Sequence, residues 1–245
     1  MAQLDLLPRE VLDTILGHFD ERSLLPIRLV SAEWHALANR RLQLVHRSRC
    51  VSICDVAAAL GEFDVLRSLC ERGFPLGRSV CAYAAKDGHL GVLQWARANG
   101  GPWGDTVCSN AAAGGHLDVL KWARASGCPW DEKTCSRAAL GGHLELLQWA
   151  RANGCPWDKH TCTYASAGGN LDVLRWARGS GCPWDEYVCS CAAYAGHLTV
   201  LQWAHANGCL WGKATCNEAR RGGHPEVLEW VHGTAWPHRG RTEEA

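Results

Sequence analysis

The sequence contains little of several side chains that commonly fill protein cores, and it has no excess charge. Its 245 residues include one Met and three Phe, and 25 Lys and Arg balance 25 Asp and Glu to a formal net charge of zero. Proteins that bind nucleic acids or anionic membranes usually carry a basic excess that neutralises phosphate groups. We therefore expect no nucleic acid and no membrane among the partners of this chain.

Long apolar runs are missing as well. No stretch reaches the roughly eighteen consecutive apolar residues of a transmembrane helix, and the segment MAQLDLLPREVLDTILGHFDE lacks the basic start and cleavage site of an export signal. Without export, the fourteen cysteines are expected to be reduced thiols rather than a disulfide framework. We expect a soluble cytoplasmic protein, with the nucleus as a second location.

Catalytic motifs are not found in the sequence. It has no nucleophile elbow, phosphate-cradling loop, HExxH pair or dinucleotide-binding glycine pattern. Acidic pairs such as Asp131 with Glu132 lie at predicted helix starts, where they cap the helix and favour its dipole. We therefore expect no catalytic residue, no cofactor and no enzymatic activity.

The dominant feature of the chain is a repeat of 27 residues. It is marked by seven evenly spaced cysteines: Cys54, Cys81, Cys108, Cys135, Cys162, Cys189 and Cys216. A fixed period in this range is typical of stacked units, none of which can bury its apolar face alone. The core must then form between neighbouring copies.

Each copy predicts two short helices and no strand. In one copy, Asp131 caps a first helix over 132–140 that ends at the glycine pair 141–142. A second helix covers 144–153 and ends at Gly154 in the left-handed conformation. Its apolar stripe consists of Leu144, Leu146, Leu147 and Ala150.

Tryptophan recurs at two positions of the repeat. The first set is Trp95, Trp122, Trp149, Trp176, Trp203 and Trp230, and the second is Trp103, Trp130, Trp157, Trp184 and Trp211. A helix pair this short has little area to bury, and a Trp ring removes a large area from water. We interpret both sets as packing residues, with stacking on a ligand as the alternative.

The segment AAAGGHLDVLKWARASGCPWD resembles an ankyrin repeat, and the resemblance extends from Cys54 to about Gly233. It implies an all-α solenoid of about seven helix pairs. A unit of 27 residues leaves too little chain for the β-hairpin finger of ankyrin repeats, so we expect no finger and no finger binding surface. Short units with a CPW motif also resemble the ankyrin arrays of large DNA viruses of amoebae.

One face of the first helix varies between copies. It contains the residues two before, two after and five after the periodic Cys, which lie three and four residues apart. We predict a target-binding face made of Tyr83, Lys86, Asn110, Lys133, Arg137, His160, Tyr164, Tyr187, Tyr194, Glu218 and Arg221. The other positions hold Ser79, Thr106, Ala113, Leu140, Ala167, Cys191 and Ala214. The alternative is an unconstrained solvated face.

The second helices carry a basic ladder of Arg97, Arg124, Arg151 and Arg178, followed by His205 and His232. Such a ladder could bind an acidic partner. The alternative is a solvated edge that favours the carboxyl ends of the helices.

Paired cysteines raise the question of a metal. Cys128 and Cys135 lie seven residues apart, as do the equivalent pairs in three later copies, and a His follows in most copies. Structural zinc usually takes ligands two to four residues apart, so this spacing fits zinc poorly and we expect no metal site. We expect the His to hydrogen-bond the turn before the second helix, with Asn170 replacing it in one copy.

The first 45 residues do not belong to the repeat. Leu7-Pro8-x-Glu10-Val11-Leu12-x-x-Ile15-Leu16, Leu24-Leu25, Leu29-Val30-Ser31 and Trp34 resemble an F-box in order and spacing. Ala32-Glu33 departs from the family, which usually has a basic residue there. The resemblance implies docking onto a Skp-type linker subunit of a cullin–RING ubiquitin ligase through Leu7, Pro8, Val11, Leu12, Ile15, Leu16, Leu25, Val30 and Trp34. The alternative is a helical cap on the stack.

We therefore predict an F-box over 1–45, a linker over 46–53, a repeat array over 54–233 and a tail over 234–245. The main hypothesis is a monomeric substrate receptor of an SCF-type ligase whose array binds an unknown target protein. The alternative is a scaffold that binds or sequesters a protein without a ligase. A metal-dependent enzyme is the weakest option.

Overall fold

The computed structural model describes residues 53–71, 73–103 and 106–233, without the side chains of residues 53 and 56. These ranges contain fourteen α-helices and no strand. The predicted F-box, the linker up to residue 52 and the tail lie outside the described residues. None of the described helices is long and apolar enough to cross a membrane.

The helices alternate in two types, as predicted for the repeat. The first helices, which carry the periodic Cys, are α1 (Ile53–Ala59), α3 (Arg78–Lys86), α5 (Val107–Gly114), α7 (Glu132–Gly141), α9 (Lys159–Ala167), α11 (Tyr187–Ala195) and α13 (Lys213–Gly222). The second helices are α2 (Phe63–Glu71), α4 (Leu90–Ala98), α6 (Leu117–Ala125), α8 (Leu144–Ala152), α10 (Leu171–Gly179), α12 (Leu198–Ala206) and α14 (Pro225–Gly233). The all-α class and the seven helix pairs without a β-hairpin finger are confirmed for the described chain.

Local signals at the helix ends explain where the helices start and stop. The Asp131 side chain accepts a hydrogen bond of 3.1 Å from the Lys133 amide and so caps α7, as predicted. At the end of α8, the amide of Cys155 bonds the Ala150 carbonyl while Gly154 has a φ of 82°. This is a Schellman motif, and it turns the chain sharply into the next CPW loop.

The described residues divide into two compact units. The first contains residues 53–111 and 118–128, and the second contains 112–117 and 129–233. In the second unit the first helices α7, α9, α11 and α13 pack side by side in chain order, and each contacts the second helix of its own copy. In the first unit, α1 packs on α3 in the same way.

Small side chains of the first helices and leucines of the second helices fill the core. The periodic Cys and most alanines of the first helices are buried, as are leucines of the second helices, of which Leu66, Leu69, Leu93, Leu120, Leu147 and Leu174 are the largest fully buried side chains. Leu146 and Ala150 are buried as predicted, whereas Leu144 is partly exposed at the start of α8. The buried stripe of α8 therefore begins at Leu146 rather than at Leu144.

Three of the histidines that precede the second helices, His89, His143 and His197, join neighbouring copies. The Nε2 atom of His143 lies 3.2 Å from the Ala113 carbonyl oxygen, near the end of the preceding first helix. Asn170, its substitute, donates 2.9 Å bonds to the carbonyls of Ala139 and Leu140. The prediction that these residues bond a turn was therefore incomplete, because the bond crosses to the preceding copy rather than staying within the residue's own turn.

Candidate target-binding face

The second-helix arginines make contacts within the array. The guanidinium carbon of Arg178 lies 4.1 Å from the Trp184 ring centre, and its Nη1 donates a 2.9 Å hydrogen bond to the Cys182 carbonyl. The same stacking joins Arg97 to Trp103 and Arg151 to Trp157. Because these guanidinium groups hold the following Pro-Trp loop, we interpret the basic ladder as a structural clamp. Neither interpretation drawn from the sequence included this stacking.

Each loop Trp also contacts the second-helix Trp of its own copy. Ring centres lie 5.7 Å apart in the pair Trp157 and Trp176 and 6.0 Å apart in the pair Trp184 and Trp203, both with edge-to-face geometry. Such pairs are favourable beyond the area they bury. The contacts favour the packing role of the Trp residues over stacking on a ligand.

We expect Arg178→Ala to lower the free energy of unfolding by about 2 kcal/mol, since it removes a cation–π contact and a charged hydrogen bond. Urea unfolding followed by Trp fluorescence measures the change. Arg175→Ala is the matched control, because Arg175 is exposed on the same helix, and we expect it to change stability by less than about 0.5 kcal/mol. Equal effects of the two substitutions would refute the clamp.

The loop cysteines bond the backbone of the preceding loop. Sγ of Cys155 donates to the Asp131 carbonyl at 3.5 Å, and Sγ of Cys182 donates to the Asp158 carbonyl at 3.4 Å. The neighbouring Cys155 sulfur, and then burial, raise the pKa of the Cys135 thiol.

In the part of the chain that the structure describes, no group of three or more His, Cys, Asp or Glu residues is arranged to hold a metal ion.

Three residues of the predicted target-binding face lie in the first unit. Tyr83 and Lys86 are on α3, and Asn110 is on α5. Lys86 is exposed, and the other two side chains are partly exposed. The Asn110 amide donates a 3.2 Å hydrogen bond to the Ala82 carbonyl, so it also joins two first helices.

The second unit contains the other eight residues of the face. They are Lys133 and Arg137 on α7, His160 and Tyr164 on α9, Tyr187 and Tyr194 on α11, and Glu218 and Arg221 on α13. All are exposed except Glu218, which is partly exposed. Because these four helices pack in order, the structure brings the eight residues onto one continuous face.

Ion pairs hold the α11 tyrosines in place. Nζ of Lys159 bonds the Asp185 carboxylate at 2.9 Å and lies 5.9 Å from the Tyr187 ring centre. That hydrogen bond raises the pKa of the Lys159 ammonium. Lys159 was missed in the sequence because it lies three residues before the periodic Cys, outside the spacing used to define the face. The only sequence feature that pointed to Lys159 was its partner Asp185, an acidic residue in the equivalent loop of the next copy.

A second ion pair lies at the α13 end of the face. Nη1 of Arg221 bonds the two carboxylate oxygens of Glu218 at 2.7 and 2.9 Å. The guanidinium carbon is also 5.6 Å from the Tyr194 ring centre on the neighbouring helix. Glu218 and Arg221 therefore position each other and support Tyr194, so they contribute to the face without leaving an unpaired charge.

Comparisons with known proteins bear on both parts of the chain. Residues 4–50 match the F-box-like family model. The N-terminal segment is F-box-like. The array is similar to the crystal structure of the human ASB11 ankyrin repeat domain, with a TM-score of 0.54 and 18% identity over 76% of this chain and 100% of that domain. A comparison with curated protein sequences finds no match. The chain thus joins an F-box-like segment to an ankyrin-repeat fold.

The nine residues predicted to contact a Skp-type linker all fall within the matched segment. They are Leu7, Pro8, Val11, Leu12, Ile15, Leu16, Leu25, Val30 and Trp34. All lie outside the residues that the structure describes. Their individual contacts therefore remain predictions.

Proposed function

We propose that this chain is a substrate-receptor adaptor of an SCF-type ubiquitin ligase. Its F-box-like segment docks onto a Skp-type linker and through it onto a cullin–RING ligase, while the ankyrin-type array binds a target protein. The observation that carries the proposal is the F-box-like match at residues 4–50 on the same chain as an array whose first-helix face exposes tyrosines and charged side chains.

The adaptor acts by proximity rather than by chemistry of its own. Holding the target beside the ubiquitin-charged enzyme raises the effective concentration of the acceptor lysine. The chain itself then has no enzymatic activity and needs no cofactor, and it works as a monomer in the cytoplasm. The CPW-bearing repeats resemble those of large DNA viruses of amoebae, and for a viral chain the linker, the ligase and the cytoplasm are those of the host.

A scaffold that sequesters a protein without a ligase is the second candidate. The face on α7, α9, α11 and α13 supports it, because that face is formed within the array and does not require the F-box-like segment. The two candidates share target binding and differ in linker binding. Capture of a Skp-type subunit therefore decides between them.

We expect the full-length chain to capture a purified Skp-type subunit and Leu12→Asp to weaken this capture by about a hundred-fold or more. The substitution places a charge in the predicted apolar ridge, where interface anchors contribute about 2–4 kcal/mol. Trp34→Ala is expected to act in the same direction. Biolayer interferometry with immobilised linker subunit measures the affinity, and far-UV circular dichroism checks that the array stays folded.

Leu210→Asp is the matched control for this experiment. Leu210 is 79% exposed in a CPW-type loop of the array, so the same change of chemistry there is expected to leave linker capture unaltered. A wild-type chain that captures no Skp-type subunit would contradict the ligase proposal and favour the scaffold.

A further inference from the structure

Large apolar side chains are exposed in an unusual concentration on the first helices of the second unit. Tyr187 is 58% exposed, Tyr194 is 51%, Leu140 is 39% and Tyr164 is 36%. The only other large apolar side chains exposed in the described residues are Leu60, Phe63 and Leu210. Since α7, α9 and α11 are packed in order, the four side chains form one patch, which we call the tyrosine patch.

The tyrosine patch is partly ordered before anything binds. Tyr187 lies beside the Lys159 ammonium, Tyr194 lies beside the Arg221 guanidinium, and Tyr164 meets the His160 ring edge-on at 6.2 Å. Tyrosine has few rotatable bonds, so rings held this way lose little further entropy on binding. The patch therefore suits contact with apolar side chains of another protein.

The charges around the patch are unequally paired. Lys159 and Arg221 are neutralised by Asp185 and Glu218. Arg137 is exposed on α7, the helix that also carries Leu140, and among the described residues no hydrogen-bond acceptor or carboxylate pairs with it. Lys133, one turn earlier on α7, has only a 3.8 Å contact with the partly exposed Asp131. The α7 end of the patch thus offers a free guanidinium with a weakly paired ammonium.

We propose that the tyrosine patch and Arg137 form the site that binds a target segment carrying a carboxylate side chain beside bulky apolar side chains. The apolar side chains pack on Tyr164, Tyr187 and Tyr194, and the carboxylate takes the parallel hydrogen bonds that a guanidinium offers. This inference rests on the target-binding role that we have proposed for the array, and it adds the chemistry of the target.

Synthetic copolymers test this chemistry in the full-length chain. Fluorescently labelled poly(Glu,Tyr) supplies both features, poly(Glu) supplies the charge alone, and poly(Lys,Tyr) supplies the rings with the opposite charge. By fluorescence anisotropy we expect poly(Glu,Tyr) to bind about ten-fold more tightly than either of the others, since one or two aromatic contacts give about 1.4 kcal/mol. Equal binding of poly(Glu) and poly(Glu,Tyr), or no binding of poly(Glu,Tyr), would overturn the proposal.

Substitutions locate the site. Arg137→Ala is expected to weaken poly(Glu,Tyr) binding about ten-fold through loss of a charged hydrogen bond, with a smaller loss for Arg137→Lys. The double variant with Tyr187→Ala and Tyr194→Ala is expected to bind poly(Glu,Tyr) no more tightly than the wild type binds poly(Glu). Arg175→Ala removes another exposed cation, this one from α10, and is expected to change nothing. An equal loss with Arg175→Ala would show nonspecific attraction and overturn the site.

This result is separable from the ligase proposal. Arg137→Ala is expected to leave Skp-type subunit capture unchanged. A chain that discriminates the copolymers but captures no linker would refute the ligase role and support this site. A chain that captures the linker but binds the three copolymers alike would refute the site and leave the ligase role standing.

Discussion

Gly115→Ala is expected to destabilise the second unit by about 2–5 kcal/mol, because the new methyl group meets two obstacles. Gly115 has a φ of 77°, where a residue with a Cβ is strained by about 1–2 kcal/mol. A Cβ there would also lie 2.5 Å from Cε1 of His143, the residue that bonds the Ala113 carbonyl. Moving a packed ring adds about 1–3 kcal/mol. Urea unfolding with Trp fluorescence measures the sum.

Gly154→Ala is the matched control, since it has the backbone strain without the clash. Gly154 has a φ of 82°, and no atom lies within 4 Å of a Cβ built there. We expect it to destabilise by about 1–2 kcal/mol, the backbone part alone. If the two glycine substitutions have the same effect, displacement of the His143 ring from its place beside Gly115 costs no stability.

The repeat made much of the fold predictable from the sequence. A helix pair repeated seven times must present the same face to each neighbour, so the periodic Cys, the buried leucines and the caps could be assigned from one copy. Asp131 and Gly154 behave as expected because capping depends on a few adjacent residues. The position of the variable residues outside the core was also predictable, since positions that differ between copies cannot belong to the common core.

Contacts between different copies were not predictable in the same way. The Arg178 stack on Trp184 and the Cys182 bond to the Asp158 carbonyl depend on how one loop lies over the next. Residue spacing sets which side chains share a helix face, but it does not set the distance between loops. The same limit explains why Lys159 was missed: its role depends on Asp185 in the next copy.

The array is expected to lose stability as the pH rises above about 9, because burial opposes the ionisation of several of its thiols. Burial raises the pKa of the Cys81 thiol from its ordinary value of 9.0 to about 11. Burial also raises the pKa of the Cys191 and Cys216 thiols. Well below pH 9 these thiols are neutral in both states. Between pH 9 and 11 the unfolded chain releases protons that the folded chain retains, so unfolding becomes more favourable.

Cys81 alone should then contribute a loss of about 2–3 kcal/mol by pH 11, at 1.36 kcal/mol for each pKa unit. Free energies of unfolding from urea titrations at pH 8 and pH 10.5, under reducing conditions, measure the total. Cys81→Ala is the control that isolates one thiol: it is expected to be less stable than the wild type at pH 8, because a buried sulfur is lost, but to lose less stability on going to pH 10.5. A thiol that is neutral in the core and ionised in the unfolded chain contributes to the fall of the unfolding free energy with pH, so its removal must reduce that fall. Equal losses in the two proteins would therefore show that the alkaline transition arises from other groups.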